Sequence, residues 1–147
     1  MSWEQYHSIS EKYASSADVA RFQRNIEQAQ HFFRQAAEQE ELALSAIDPS
    51  ESRALGIIAV SAVALWYKAS EFTHAYSLAA QWLEHPNLPT FAQIQLQELQ
   101  EAIRELEKLK QELDELCCAL PLSFSARELL TKAVAEWKGT TTSLMIS

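Results

Sequence analysis

Between Leu55 and Tyr67 only Gly56 and Ser61 depart from a strongly apolar run, so a helix formed there must be covered on nearly every side. A polar break from Lys68 to Glu71 follows, and then Phe72, Ala75, Tyr76, Ala79, Trp82 and Leu83 recur at intervals of three and four on one face. The pattern predicts two helices folded back on each other in antiparallel fashion. The apolar run from Ala54 to Tyr67 falls short of the roughly 17 to 25 residues that span a bilayer, and its alanines favour close helix packing. It is read as core.

Trp66, Tyr67, Lys68, Ala69, Ser70, Glu71 and Phe72, followed by Ala75, Leu83 and Pro86, resemble a tetratricopeptide repeat (TPR). That repeat has an aromatic near the end of its first helix, a small residue early in its second and a closing proline. The likeness covers about one repeat, roughly a quarter of the chain. Ala79 stands where the family usually has an aromatic, Trp82 where it has alanine, and Val63 where it has glycine or alanine, positions that govern how closely neighbouring repeats approach. The family's carboxylate-clamp subtype places Lys and Asn where this chain has Val60 and Ala64. The resemblance therefore implies a protein-binding hairpin whose ligand on that face is not an acidic peptide terminus.

Taken in order, the chain opens with Ser2 and Gln5 at capping-box spacing and with Trp3, Tyr6, Ile9 and Tyr13, the outline of a short helix. Ser15, Ser16 and Asp18 suggest a break and an N-cap. Val19, Phe22, Ile26, Ala29, Phe33, Ala36, Ala43 and Ile47 then predict one long helix from Asp18 to Ala46, interrupted only by Glu40. Asp48, Pro49 and Glu51 end it and begin the next, with Asp48 as cap and Glu51 completing a capping box. After the hairpin, His85-Pro86-Asn87-Leu88-Pro89 forces a turn, and Thr90 with Gln93 starts a helix to about Ala119. Its stripe is Leu96, Leu99, Ile103, Leu106, Leu109, Leu113, Leu116 and Leu120. Pro121 stops it. Ser125 and Glu128 open a last helix carrying Leu129, Leu130, Ala133, Val134 and Trp137, and residues 139–147 are expected to form a flexible tail. The expectation is an all-α antiparallel bundle of five to six helices in one domain over residues 1–138, with a TPR-like hairpin flanked by two long helices.

A formal net charge of -8 argues against nucleic acid or an anionic membrane as partner, since both select basic surfaces. Cys117 and Cys118 are adjacent, a spacing that rarely forms an unstrained disulfide, and the N-terminus lacks a basic start and apolar run. Both point to a reducing cytoplasm. Glu4 with His7, and Glu71 with His74, have the Glu-x-x-His spacing of ferritin-like di-metal sites, but the other inward carboxylates are not apparent. No metal or other cofactor is expected.

Arg24-Asn25 followed by His31 resembles the motif of HEPN-type ribonucleases, small helical bundles of toxin–antitoxin type systems. That resemblance would make Arg24 a phosphate ligand and His31 a general acid or base. Seven residues apart on one helix, the two would share a face. An acidic chain is a poor RNA partner, however, and both are expected to be surface residues.

Helix lengths point elsewhere. At 1.5 Å per residue the helix to Ala119 is about 45 Å long, whereas the second hairpin helix reaches only about 21 Å. Beyond Leu106 the leucine stripe must find another surface. Leu109, Leu113 and Leu116 are accordingly the candidate protein-binding residues, and the expected function is a protein-interaction module or small adaptor without catalysis. Its partner would be another protein or a second copy. A ribonuclease and a structural homo-oligomer subunit are the alternatives.

Overall fold

The computed structural model describes residues 1–119 and 124–146, with side chains through residue 119 and over 125–137. All six described elements are α-helices: α1 (Trp3–Phe22), α2 (Ile26–Ala46), α3 (Ser52–Lys68), α4 (Phe72–Leu83), α5 (Thr90–Ala119) and α6 (Phe124–Ile146). The fold is an all-α helical bundle.

α1 begins on the expected capping box: the Ser2 amide donates to Gln5 Oε1 at 2.8 Å, and the Gln5 amide donates to the Ser2 hydroxyl at 3.4 Å. The serines that were expected to break the helix lie inside it. The Ser16 hydroxyl donates to the Lys12 carbonyl at 3.2 Å, which satisfies it within the helix. The expected long helix from Asp18 to Ala46 is instead two, divided at Gln23 to Asn25. Arg24 adopts φ 61 there, its amide donates to the Arg21 carbonyl, and the Asn25 amide donates to the Ala20 carbonyl, both at 2.9 Å. These two bonds make a Schellman motif, which satisfies the last carbonyls of α1. The Asn25 side chain then accepts from the Gln28 amide and caps α2.

The same turn closes the second hairpin. Ser70 has φ 62, its amide donates to the Tyr67 carbonyl, and the Glu71 amide donates to that of Trp66, each at 3.0 Å. Gln30 Nε2 donates to the Ser70 hydroxyl at 3.0 Å, and Arg34 pairs with Glu71 at 2.8 Å, so α2 holds this turn in place.

α1 and α2 lie against each other along a row of buried alanines, among them Ala17, Ala20, Ala29, Ala36 and Ala43. Short side chains at the contact allow the two axes to come close. α3 is the element that the others surround, packing against α2, α4, α5 and α6, and Leu55, Ile58, Ala62, Val63, Trp66 and Tyr67 are buried. The apolar run thus finds cover on most sides but not all, since Ile57 is left 47% exposed.

Glu51 is the N-cap of α3 but makes no side-chain cap bond. Asp48 accepts from the Ser50 amide at 2.9 Å. Its carboxyl is held below the ordinary range by that bond, and the residue shapes the turn without capping the helix. α5 starts at Thr90, where the Pro89 carbonyl accepts from Ala92 and Gln93 and the Gln93 side chain donates to the Leu88 carbonyl. No Thr90 capping box is needed. α6 begins at Phe124, ahead of Ser125, and continues through Gly139 to Ile146, so the stretch expected as a tail from residue 139 is helical as far as that residue. Leu120 and Pro121 lie outside the described residues.

Gly56 marks the closest approach in the core. A Cβ there would meet the Pro89 ring at 2.8 and 2.9 Å and the Ala92 Cβ at 3.1 Å. A proline ring cannot swing aside as a long side chain does. Gly56→Val is therefore expected to destabilise by about 2 kcal/mol despite the better helix propensity of valine. Urea titration checks this, with a lower midpoint at an unchanged slope expected. An unshifted midpoint would mean that α5 moves away from α3 without cost.

Candidate functional site

α3 and α5 start side by side, with Gly56 against Pro89 and Ala92, but α3 has 17 residues and α5 has 30. At 1.5 Å per residue, α5 outruns α3 by about 20 Å. The burial of the leucine stripe follows that difference. Leu96 and Ile103 are fully buried, and Leu106 is 7% exposed. Leu109 and Leu113 are only half-buried, and Leu116 is 54% exposed. The stripe keeps its period while its cover stops.

The flanks of this overhang are charged. Glu105, Glu107, Glu112, Asp114 and Glu115 outnumber Lys108 and Lys110, giving the distal half of α5 an acidic border around an apolar seam. At its root, Arg104 lies over the Tyr76 ring at 5.3 Å, hydrogen-bonds its hydroxyl and reaches Glu101 at 3.4 Å. These contacts fasten α5 to α4 just before the overhang begins.

Other candidates are placed differently. Arg24 occupies the left-handed position of the α1–α2 turn and is not on a helix, so the shared face with His31 that seven-residue spacing predicts does not form. His31 is exposed on α2 beside an open depression of about 560 Å³ that Asn25, Gln28 and Arg34 also line. Arg24 does not line it, and Arg34 is already paired with Glu71.

The histidines of the two Glu-x-x-His pairs contact other carboxylates instead. His7 Nδ1 lies 3.0 and 3.1 Å from the two carboxylate oxygens of Glu40, and His7 Nε2 lies 3.5 Å from Glu11. His74 Nε2 lies 2.9 Å from Glu41, and its ring packs on Trp66 with 4.2 Å between centroids. Among the described residues no group of three or more His, Cys, Asp or Glu side chains is arranged to hold a metal ion.

Sequence patterning assigned no contact or role to three further features. Glu40, the one polar residue in the α2 stripe, is fully buried and tied to His7 across the α1–α2 contact. Its place in an apolar register was the visible signal, but its partner, 33 positions away, had none. Lys68 stacks over Phe33 at 5.6 Å, with Arg21 at 5.9 Å from the same ring. Burial pushes the Lys68 pKa down, and Asp18 opposes that shift. A cavity of about 430 Å³ opens between α3 and α5, lined by Val60, Ala64, Tyr67, Glu98, Leu99 and Ala102.

Comparison with known protein families, curated proteins and solved structures found no match for this chain. No helix among the described residues is long and apolar enough to cross a membrane. Cys117 and Cys118 are free thiols.

Proposed function

We propose that this protein is an interaction module, a small adaptor without catalysis of its own that docks a protein partner on the distal part of α5. The observation that carries the reading is the loss of cover along one uninterrupted leucine stripe, from fully buried Ile103 to Leu116 at 54% exposure. An apolar seam with charged borders fits a partner helix better than it fits a small molecule. Leu109, Leu113 and Leu116 are the contact residues in this reading. The net charge of -8 supports a protein partner over nucleic acid or an anionic membrane. A reducing cytoplasm is the setting in which the adjacent Cys117 and Cys118 remain thiols.

Repetition of one turn supports the TPR-like part of the reading: α1–α2 and α3–α4 close on the same Schellman geometry at Arg24 and Ser70. α3 then packs on both α2 and α5, as the inner helix of a stacked hairpin series does.

Affinity capture with the wild-type chain and with Leu113→Asp tests the proposal. The variant is expected to keep its circular dichroism spectrum and melting temperature while losing captured protein by about tenfold or more. An RNA cleavage assay runs beside it. Cleavage by wild type that His31→Ala abolishes would overturn the adaptor reading in favour of the ribonuclease.

A further inference from the structure

One edge of the uncovered α5 stripe is lined by carboxylates. Glu105 precedes Leu109 by four residues and Glu112 precedes Leu116 by four, so each of these leucines has a glutamate one turn before it on the same side of the helix. Glu112 also lies three residues after Leu109, which makes the edge continuous. Both glutamates are exposed. Lys108 lies behind them, and among the described residues neither glutamate ion-pairs with it or with any other cation. The opposite edge is mixed, with Lys110 beside Asp114 and Glu107.

Resting on the reading of distal α5 as an interaction surface, we propose that its occupant is an amphipathic helix of another protein, basic along one edge. Its apolar seam lies on Leu109, Leu113 and Leu116, and Lys or Arg residues a heptad apart face Glu105 and Glu112. The spacing follows from α5 itself, where the two carboxylates stand about 10 Å apart along the axis. The length is also suitable, since the roughly 20 Å by which α5 outruns α3 takes about four turns of helix. A second copy of this chain does not supply the matching charge. Its α5 would bring more acid than base to the contact, and on α6, where Leu129 is 69% exposed, Arg127 and Lys132 are balanced by Glu128 and Glu136.

Two synthetic peptides, each about three heptads long with leucine at a and d, test this against the full chain by fluorescence anisotropy. One carries lysine and the other glutamate at the flanking e and g positions, and their remaining residues are identical. Wild type is expected to bind the lysine peptide about tenfold more tightly than the glutamate peptide. Glu105→Lys with Glu112→Lys is expected to reverse that preference. Glu107→Lys with Glu115→Lys makes the same change in net charge on the side of α5 away from Leu109 and Leu116, and is expected to leave the preference in place. Leu113→Asp is expected to weaken binding of the lysine peptide about tenfold or more, with circular dichroism confirming that each variant is folded. Leu116→Asp, at a more exposed site, replaces Leu113→Asp if the latter perturbs the fold.

Equal affinity for the two peptides, a preference that survives reversal of Glu105 and Glu112, or one that reversal of Glu107 and Glu115 overturns as well would each remove the basic occupant. If Leu113→Asp still abolishes binding in those cases, the interaction surface stands without it. Binding of neither peptide, or binding undiminished by Leu113→Asp, would remove the surface itself. Wild type sedimenting at twice the 16.6 kDa chain mass, and at the single mass in Leu113→Asp, would put a second copy there instead.

Discussion

Leu106→Asp is expected to unfold the protein. Leu106 is the last residue of the α5 stripe inside the core, 7% exposed, and losing its side chain alone removes about 2 to 3 kcal/mol of burial. Placing a carboxylate there without a partner adds a desolvation cost of several kcal/mol. Together these approach the whole stability of a small domain, about 5 to 15 kcal/mol. Far-ultraviolet circular dichroism at 25 °C is expected to show loss of most helix signal, with Leu106→Ala folded but destabilised by about 2 to 4 kcal/mol. A Leu106→Asp chain that melts with wild type would place the edge of the core earlier than Leu106. The contrast with Leu113→Asp, seven residues further along the same face, locates the boundary between packing and binding on a single helix.

Breaking the link between α1 and α2 at its charged point has the next largest effect. Glu40 is fully buried, and both of its oxygens face His7 Nδ1. His7→Leu leaves that carboxylate buried without its donor and is expected to cost about 2 to 3 kcal/mol, the lower part of the range for broken buried pairs because His7 keeps some contact with solvent. Adding Glu40→Leu to the same chain is expected to recover most of the loss, since two apolar side chains of similar size can replace a buried pair nearly neutrally. Chemical denaturation of wild type, both single variants and the double variant measures the coupling. Additive losses would show that the two residues act independently.

Helix identity was legible from periodicity because burial itself imposes the period. α3, α4 and α5 fall within a few residues of the spans that their apolar spacing and flanking prolines predict. The α1–α2 boundary was hidden for a physical reason. Helix stops are read from glycine and proline, but this one is made by Arg24 in a left-handed conformation, held by two backbone bonds that every residue type except proline can supply. Ser15 and Ser16 misled in the opposite sense. A hydroxyl that bonds back to a carbonyl four residues earlier is at ease inside a helix. At the candidate site, the length of α5 and the period of its leucines were open to inspection, and so was the point near Leu106 where cover would end. His7 facing Glu40 was not, because a contact between distant positions leaves no trace in local spacing. The exposed face of α6 was equally hidden, since an apolar stripe looks the same whether or not another helix covers it.

The close fit of Gly56 against Pro89 and Ala92 also sets the aim of the molecule. Leu116 lies about 36 Å along α5 from Ala92, and the buried part of the stripe ends at Leu106. α5 is a rod seated at the glycine notch and held again at Ile103 and Arg104, and its free end bears the leucines. A tilt of about 5° at the notch moves Leu116 by about 3 Å, more than half a turn of helix and enough to put its side chain out of register with a docked partner. The absence of one methyl group deep in the core is thus one of the contacts that set where a surface far from it points.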